Sequence, residues 1–150
     1  MAHTFTYLVN HVIFSTRHRA PLIGQAFRGR LWAYMGGILR ELKSDALLVG
    51  GAADHAHLLV RFPPTLCISD AMRVVKTNSS RWAKENRLSE GRFEWQTGYT
   101  AFSVSRSMVD DVTRYIAGQE EHHRRMTFQE ELVILLEKHG IEYDQQRIWE

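Results

Sequence analysis

What most restricts the fold of this chain is the order in which strand-like runs alternate with runs whose apolar residues recur every three or four positions. Residues Thr4 to Ser15 are rich in β-branched and aromatic types and contain no Gly or Pro, which predicts a long strand. The basic loop Thr16 to Pro21 closes it. From about Gln25 to Leu42, apolar residues recur at Phe27, Leu31, Met35, Ile38, Leu39 and Leu42, the spacing of an amphipathic helix. Two strand-like runs follow, Ala46 to Val49 and His55 to Phe62, separated by Gly50 to Asp54 in a hairpin of ambiguous turn type. Pro63-Pro64 ends the second run, and Ile68 to Asn86 reads as a helix with Ile68, Met72, Val75, Trp82 and Ala83 on one face. After a polar segment, Arg87 to Arg92, come strand-like Phe93 to Trp95 and Tyr99 to Val104, then a helix from about Met108 to His123.

The order is therefore β-α-β-β-α-β-α. Its first six elements match the split β-α-β pattern, so the expected class is α+β, a ferredoxin-like (RRM-like) antiparallel sheet with helices on one face. A C-terminal helix is added: Thr127 and Glu130 offer a capping box at its start and His139-Gly140 a stop. No repeat or linker interrupts the chain, and residues 1–150 read as one domain. With 44% apolar and 24% charged residues, such a chain buries roughly 70% of its unfolded surface without staples. A single cysteine, Cys67, excludes an internal disulfide and a finger built on cysteine pairs, and points to the reducing cytoplasm. The amino terminus has no secretory pattern, and no apolar run approaches the roughly 18 residues of a membrane span. A net charge of +2 does not announce a nucleic-acid binder, so that case rests on where the charges sit. Eight histidines are the compositional oddity.

His55 and His57 stand two apart on a predicted strand, so both imidazoles leave the same face while Ala56 and Leu58 leave the other. Such a pair can chelate a metal or simply pack, and chelation needs a third ligand. The helix from Met108 supplies a candidate. Advancing about 100° per residue from Val112, the residues Met108, Val109 and Ile116 form a buried stripe that also contains Tyr115, Gln119 and His123. A glutamine in a core-facing stripe must find a partner or cost about 1 to 3 kcal/mol, and a metal is one such partner. Tyr115, one turn earlier, would bring its phenol to the same point, although a tyrosine on a helix rim also serves by burying its ring and wetting its hydroxyl. His123 competes with Gln119 as third ligand.

Asp54-His55-Ala56-His57-Leu58-Leu59-Val60 and Tyr115-Ile116-Ala117-Gly118-Gln119, in this order and at this separation, resemble the HUH single-strand endonucleases with one catalytic tyrosine. The similarity is specifically to transposases of the insertion-sequence-200/605 family and relatives that mobilise repetitive extragenic palindromes. Flanking pieces also look like the family: Asn10 to Arg17, Lys76 to Ser80, Gly98-Tyr99 with Ser103 to Ser105, and Gln119 to His123 running into Phe128 to Glu131. Ala56 departs from the pattern, standing where a bulkier apolar residue is usual. The resemblance implies that His55, His57 and Gln119 hold a divalent cation, Mg²⁺ or Mn²⁺, and that Tyr115 is the nucleophile. Attack would leave a 5′-phosphotyrosine and a free 3′-hydroxyl. It further implies a single-stranded DNA substrate, with a hairpin, and a homodimer.

Opposite the apolar stripe of the second helix, Arg73, Lys76, Lys84 and Arg87 form a basic ridge with Ser80. Arg17 and Arg19 follow the first strand, and all six are candidate phosphate contacts. Trp82 and Trp95 are read as core. A strand near the amino terminus is a candidate for pairing across a two-fold axis, and the C-terminal helix for packing on its own subunit. Three readings follow: a mobile-element transposase, a domesticated nuclease acting on genomic palindromes, and a ferredoxin-like module that binds nucleic acid without cutting it.

Overall fold

A computed structural model describes residues 3–89 and 91–149. Met1 and Ala2, used above against a secretory signal, Glu90 of the polar segment, and Glu150 lie outside the described residues. The chain runs β1 (Leu8–Ser15), α1 (Gln25–Glu41), β2 (Asp45–Gly51), β3 (His55–Phe62), α2 (Ile68–Glu85), β4 (Thr100–Ser103), α3 (Val109–Ala117), α4 (Gln119–His122) and α5 (Phe128–Lys138). The sheet is antiparallel with order β2-β3-β1-β4, which is the ferredoxin-like arrangement.

Side-chain alternation gives the sheet two covered faces. Val12 and Phe14 of β1, with Ala56, Leu58, Val60 and Phe62 of β3, face the stripe of α1 (Phe27, Leu31, Met35, Leu39) and of α2 (Met72, Val75). Burial on this scale contributes about 1.5 to 3 kcal/mol for each large side chain. The first two helices thus cover one face, as expected. The remaining helices cover the other, where Ile13 and Phe102 pack against Phe128, Leu132 and Leu136 of α5, and Val9 and Leu59 pack against Ile116 of α3. The C-terminal helix therefore docks on its own chain. β1 lies between β3 and β4, so it has no open edge with which to pair across a two-fold axis.

Local chemistry explains where boundaries moved. β1 starts at Leu8 rather than Thr4, and Phe5 is exposed. Phe93 to Trp95 form no strand but run along the end of β1, with a single bridge between Thr16 and Trp95. The tyrosine-bearing helix breaks at Gly118, whose φ of −91° and ψ of 13° depart from helical values. Its hydrogen bonds nevertheless carry on, from Gly118 N to Arg114 O and from His122 N to Gly118 O. Thr127 caps α5 by accepting from the Glu130 backbone N–H at 3.2 Å, while its hydroxyl donates to the Glu130 carboxylate. Past the end of that helix Gly140 takes a φ of 66°, the left-handed conformation a C-terminal stop calls for. Among the described residues, no helix is long and apolar enough to cross a membrane.

Candidate functional site

Between the two apolar clusters on the second face lies a buried polar patch. β3 contributes His55 and His57, both fully buried, and β1 contributes His11 beside them. Burying three imidazoles is unfavourable unless their nitrogens are paired, and the pairing is extensive. His55 Nδ1 lies 2.7 Å from an Asp54 carboxylate oxygen. A carboxylate only accepts, so in the neutral ring Nδ1 carries the proton and Nε2 turns its lone pair inward. His57 Nδ1 is 2.7 Å from His11 Nε2, and its Nε2 is 3.1 Å from Glu131 Oε1. Burial lowers His57 from 6.5 to about 4 and His11 to about 3, so both are neutral near pH 7.

The tyrosine helix and its continuation meet this patch. The Tyr115 ring stands 5.9 Å from that of His57, and its hydroxyl donates to Glu131 Oε2. Burial, then the adjacent carboxylate, raises the Tyr115 phenol above its ordinary value. Gln119 is buried, and its amide is satisfied: Nε2 donates to Glu131 Oε2 at 3.0 Å, and Oε1 lies 3.1 Å from His55 Nε2 and 2.8 Å from His123 Nε2. All four of the residues expected at the centre, His55, His57, Tyr115 and Gln119, are therefore brought together within one chain. His123 joins them through its own contact with Glu131 at 3.2 Å. Burial alone would lower His123, but the hydrogen bond to Glu131 and its charge, with the Met126 carbonyl and the Asp54 charge, together outweigh it and the imidazole is shifted up.

Glu131 was not anticipated, yet it sits at the middle of the cluster with 1% exposure. Burial pushes its carboxyl up, but hydrogen bonds from His123 and His57 outweigh that and hold it well below the usual carboxylate range. A signal for it exists in the sequence. Phe128, Leu132 and Leu136 form the apolar stripe of α5, and Glu131 lies in that stripe, just as Gln119 lies in its own. His11 is legible the same way, since it alternates with Val9 and Ile13 on the inner face of β1.

The donor set fits a divalent cation. Ligand atoms of His55, His57, His123 and Glu131 all lie within 4.8 Å of one another, close to the roughly 4.4 Å that separates opposite ligands of a small ion. The His55 Nε2 lone pair faces two oxygens that also only accept, Gln119 Oε1 at 3.1 Å and Glu131 Oε1 at 3.6 Å. An acceptor aimed at acceptors gains nothing from them directly. A cation between them would satisfy all three.

Beside the cluster runs a groove of about 960 Å³ lined by Arg17, His18, Arg19, Lys76, Arg81 and Lys84. Phe128, which stacks on His55 at 4.5 Å, lines it too and links groove to cluster. Arg73 and Arg87 do not line it. Some of the basic residues are already engaged: Arg17 pairs with Glu94 at 2.9 Å, and the Arg19 guanidinium lies over the Trp149 ring. Lys76 donates to the Gly98 carbonyl, and burial lowers it to about 8. Trp95 is buried and donates to Ser79, while Trp82 stacks on Tyr34, so neither serves as an open stacking platform.

The sequence profile of the family described as "Transposase IS200 like" matches residues 4–119. Transposases for insertion sequence element IS200 from Salmonella typhimurium and Salmonella typhi are each 29% identical over 134 residues, covering 83% of this chain and 84% of theirs. Among solved structures, a candidate transposase from Deinococcus radiodurans superposes with a TM-score of 0.61 at 21% identity, covering 79% of this chain and 95% of that one. A REP-associated tyrosine transposase bound to a REP hairpin superposes with a TM-score of 0.56 at 12% identity, covering 83% of this chain and 74% of that one. These likenesses carry the fold. His55, His57, Tyr115 and Gln119 lie inside the matched segment, whereas His123 and Glu131 lie beyond its end.

Proposed function

The chain belongs to the IS200-like transposase family, and from that premise we propose that it cuts and rejoins single-stranded DNA through Tyr115, with His55, His57 and Gln119 holding a divalent cation. The observation that carries this reading is the meeting of those four side chains at one buried point. A bound Mg²⁺ or Mn²⁺ supplies Lewis-acid stabilisation of charge on the scissile phosphate and on the leaving oxygen. The carboxylate of Asp54 and the ring of His11 fix how His55 and His57 present their Nε2 atoms. Glu131 Oε2 already accepts the Tyr115 hydroxyl, so it is positioned to take the phenolic proton. The phenolic oxygen attacks phosphorus as its proton passes to Glu131, the bond to the 3′ oxygen breaks and that oxygen takes up a proton from water, leaving a 5′-phosphotyrosine and a 3′-hydroxyl. Because the phosphodiester is conserved in that link, a second 3′-hydroxyl can reverse the step without ATP.

The DNA path runs along the basic groove, with Arg17, Arg19, Lys76 and Lys84 as phosphate contacts. Arg73 and Arg87 would meet DNA only beyond that lining. A hairpin substrate is supported by the relative solved with one. The reading also includes a homodimer, 150 residues acting as one domain, and work in the cytoplasm. The test is a Mn²⁺ titration of oligonucleotide cleavage with His57→Ala alongside wild type. Loss of metal-dependent cleavage in a folded variant is expected; an unchanged titration removes His57 from the site.

A further inference from the structure

Glu131, like His123, lies beyond the matched segment, and it is the carboxylate of the cluster. Resting on the metal-centre reading above, we infer that Glu131, carried by the C-terminal helix α5, is a carboxylate ligand of the same cation and completes the centre from its own chain.

The argument starts from cost. A carboxylate at 1% exposure, set in the apolar stripe of a helix, loses its hydration and needs positive charge or strong donors in return. Its ion-pair partners among the described residues are histidines: His57 at 3.1 Å, His123 at 3.2 Å, His122 at 3.3 Å and His55 at 3.6 Å. His122 Nε2 is itself buried without a hydrogen-bond partner. A divalent ion held by Glu131 Oε1 and the Nε2 atoms of His55 and His57, whose ligand atoms lie within 4.8 Å of one another, would supply positive charge to the buried carboxylate.

Geometry supports the same assignment. Oε1 faces both strand histidines, while Oε2 accepts from Gln119 and Tyr115, so the carboxylate is held from both sides in one orientation. Its helix is anchored by Phe128, Leu132 and Leu136 against the sheet, a rigid mount for a ligand. A carboxylate oxygen is a harder donor than imidazole, and adding it moves the preference of the site toward Mn²⁺ and Mg²⁺. With two neutral imidazoles, one amide and one carboxylate, a divalent centre keeps a single net positive charge with which to hold a phosphate.

The experiment is Mn²⁺ binding, without DNA, by calorimetry and by the electron paramagnetic resonance of free against bound ion, for wild type, Glu131→Gln and His57→Ala. The expected result is an affinity at least about 10-fold weaker in Glu131→Gln, the loss typical of even an outer-sphere partner, together with loss of the Mn²⁺-induced rise in Tm. Binding within twofold of wild type in Glu131→Gln, with His57→Ala impaired, overturns the role of Glu131 and leaves the histidine site standing. No Mn²⁺ binding by wild type overturns both. Should Glu131→Gln fail to fold, infrared spectra of wild type labelled with ¹³C-glutamate decide the matter. A buried carboxylate band that shifts on Mg²⁺ addition supports ligation, and bands unchanged at saturating Mg²⁺ overturn it.

Discussion

Acidification of the metal-free protein tests the buried histidines most quantitatively. Burial lowers His57 from 6.5 to about 4 and His11 to about 3. Between pH 6.5 and 4 the folded state keeps both rings neutral while the unfolded chain protonates them, so the unfolded state binds more protons and stability falls as pH falls. Once the unfolded rings are fully protonated, the two together give a slope of about 3 kcal/mol per pH unit. Over the interval from pH 6.5 to 5, in which the unfolded rings go from half to almost fully protonated, the loss is about 3 kcal/mol, a large share of the roughly 5 to 15 kcal/mol that holds a domain together. His123 acts in the opposite direction: its shift is upward, so its contribution is complete below 6.5 and is lost as pH rises through its folded value. Glu131, held low, adds acid sensitivity only below the ordinary carboxylate range. Stability should therefore fall steeply as the pH drops below 6.5. Urea unfolding in EDTA at pH 5, 6.5 and 8 measures this through the midpoint and slope. A midpoint unchanged from pH 6.5 to 5 would refute the burial of neutral His11 and His57.

Two further outcomes follow from the turn and the groove. Gly51 has a φ of 153°, and a Cβ there would stand 2.2 Å from the His55 carbonyl oxygen; Gly51→Ala should cost about 2 to 6 kcal/mol from overpacking and backbone strain and weaken Mn²⁺ binding by displacing His55, and a Tm equal to wild type would contradict this. Replacing Arg81 and Lys84, both on the groove, with Ala should reduce the slope of log affinity for single-stranded DNA against log salt by about 1.4. An unaltered slope would move the DNA path elsewhere.

Much of this architecture is legible in the sequence because period and burial agree. β1 and β3 are short runs rich in apolar and β-branched residues, buried on both faces, and the α1 and α2 stripes keep their spacing, so element order and sheet class follow from pattern. The stripe through Val112, Ile116 and Gln119 survives the break at Gly118 because the helical hydrogen bonds bridge it. Where pattern misleads, competing local physics decides: Phe93 to Trp95 look like a strand, yet Phe93 and Trp95 pack inward, Trp95 edge-on to Phe14, and Trp95 makes a single bridge with Thr16 just past β1. Glu131 escaped because a charged residue in a stripe reads as a solvated face, and only the docking of α5 over β3 brings it to the histidines. The basic ridge of α2 was half informative. Lys76 and Lys84 line the groove while Arg73 and Arg87 do not, Arg87 lying past the last residue of the helix.

The most direct measurement is a denaturing gel of the protein incubated with Mn²⁺ or Mg²⁺ and single-stranded oligonucleotides copied from both flanks of its gene, with Tyr115→Phe alongside. A covalent protein–DNA band that requires the metal and disappears in Tyr115→Phe, while DNA affinity stays near wild type, is the predicted result. Cleavage that persists in Tyr115→Phe at the wild-type rate would contradict it and take the nucleophile away from α3.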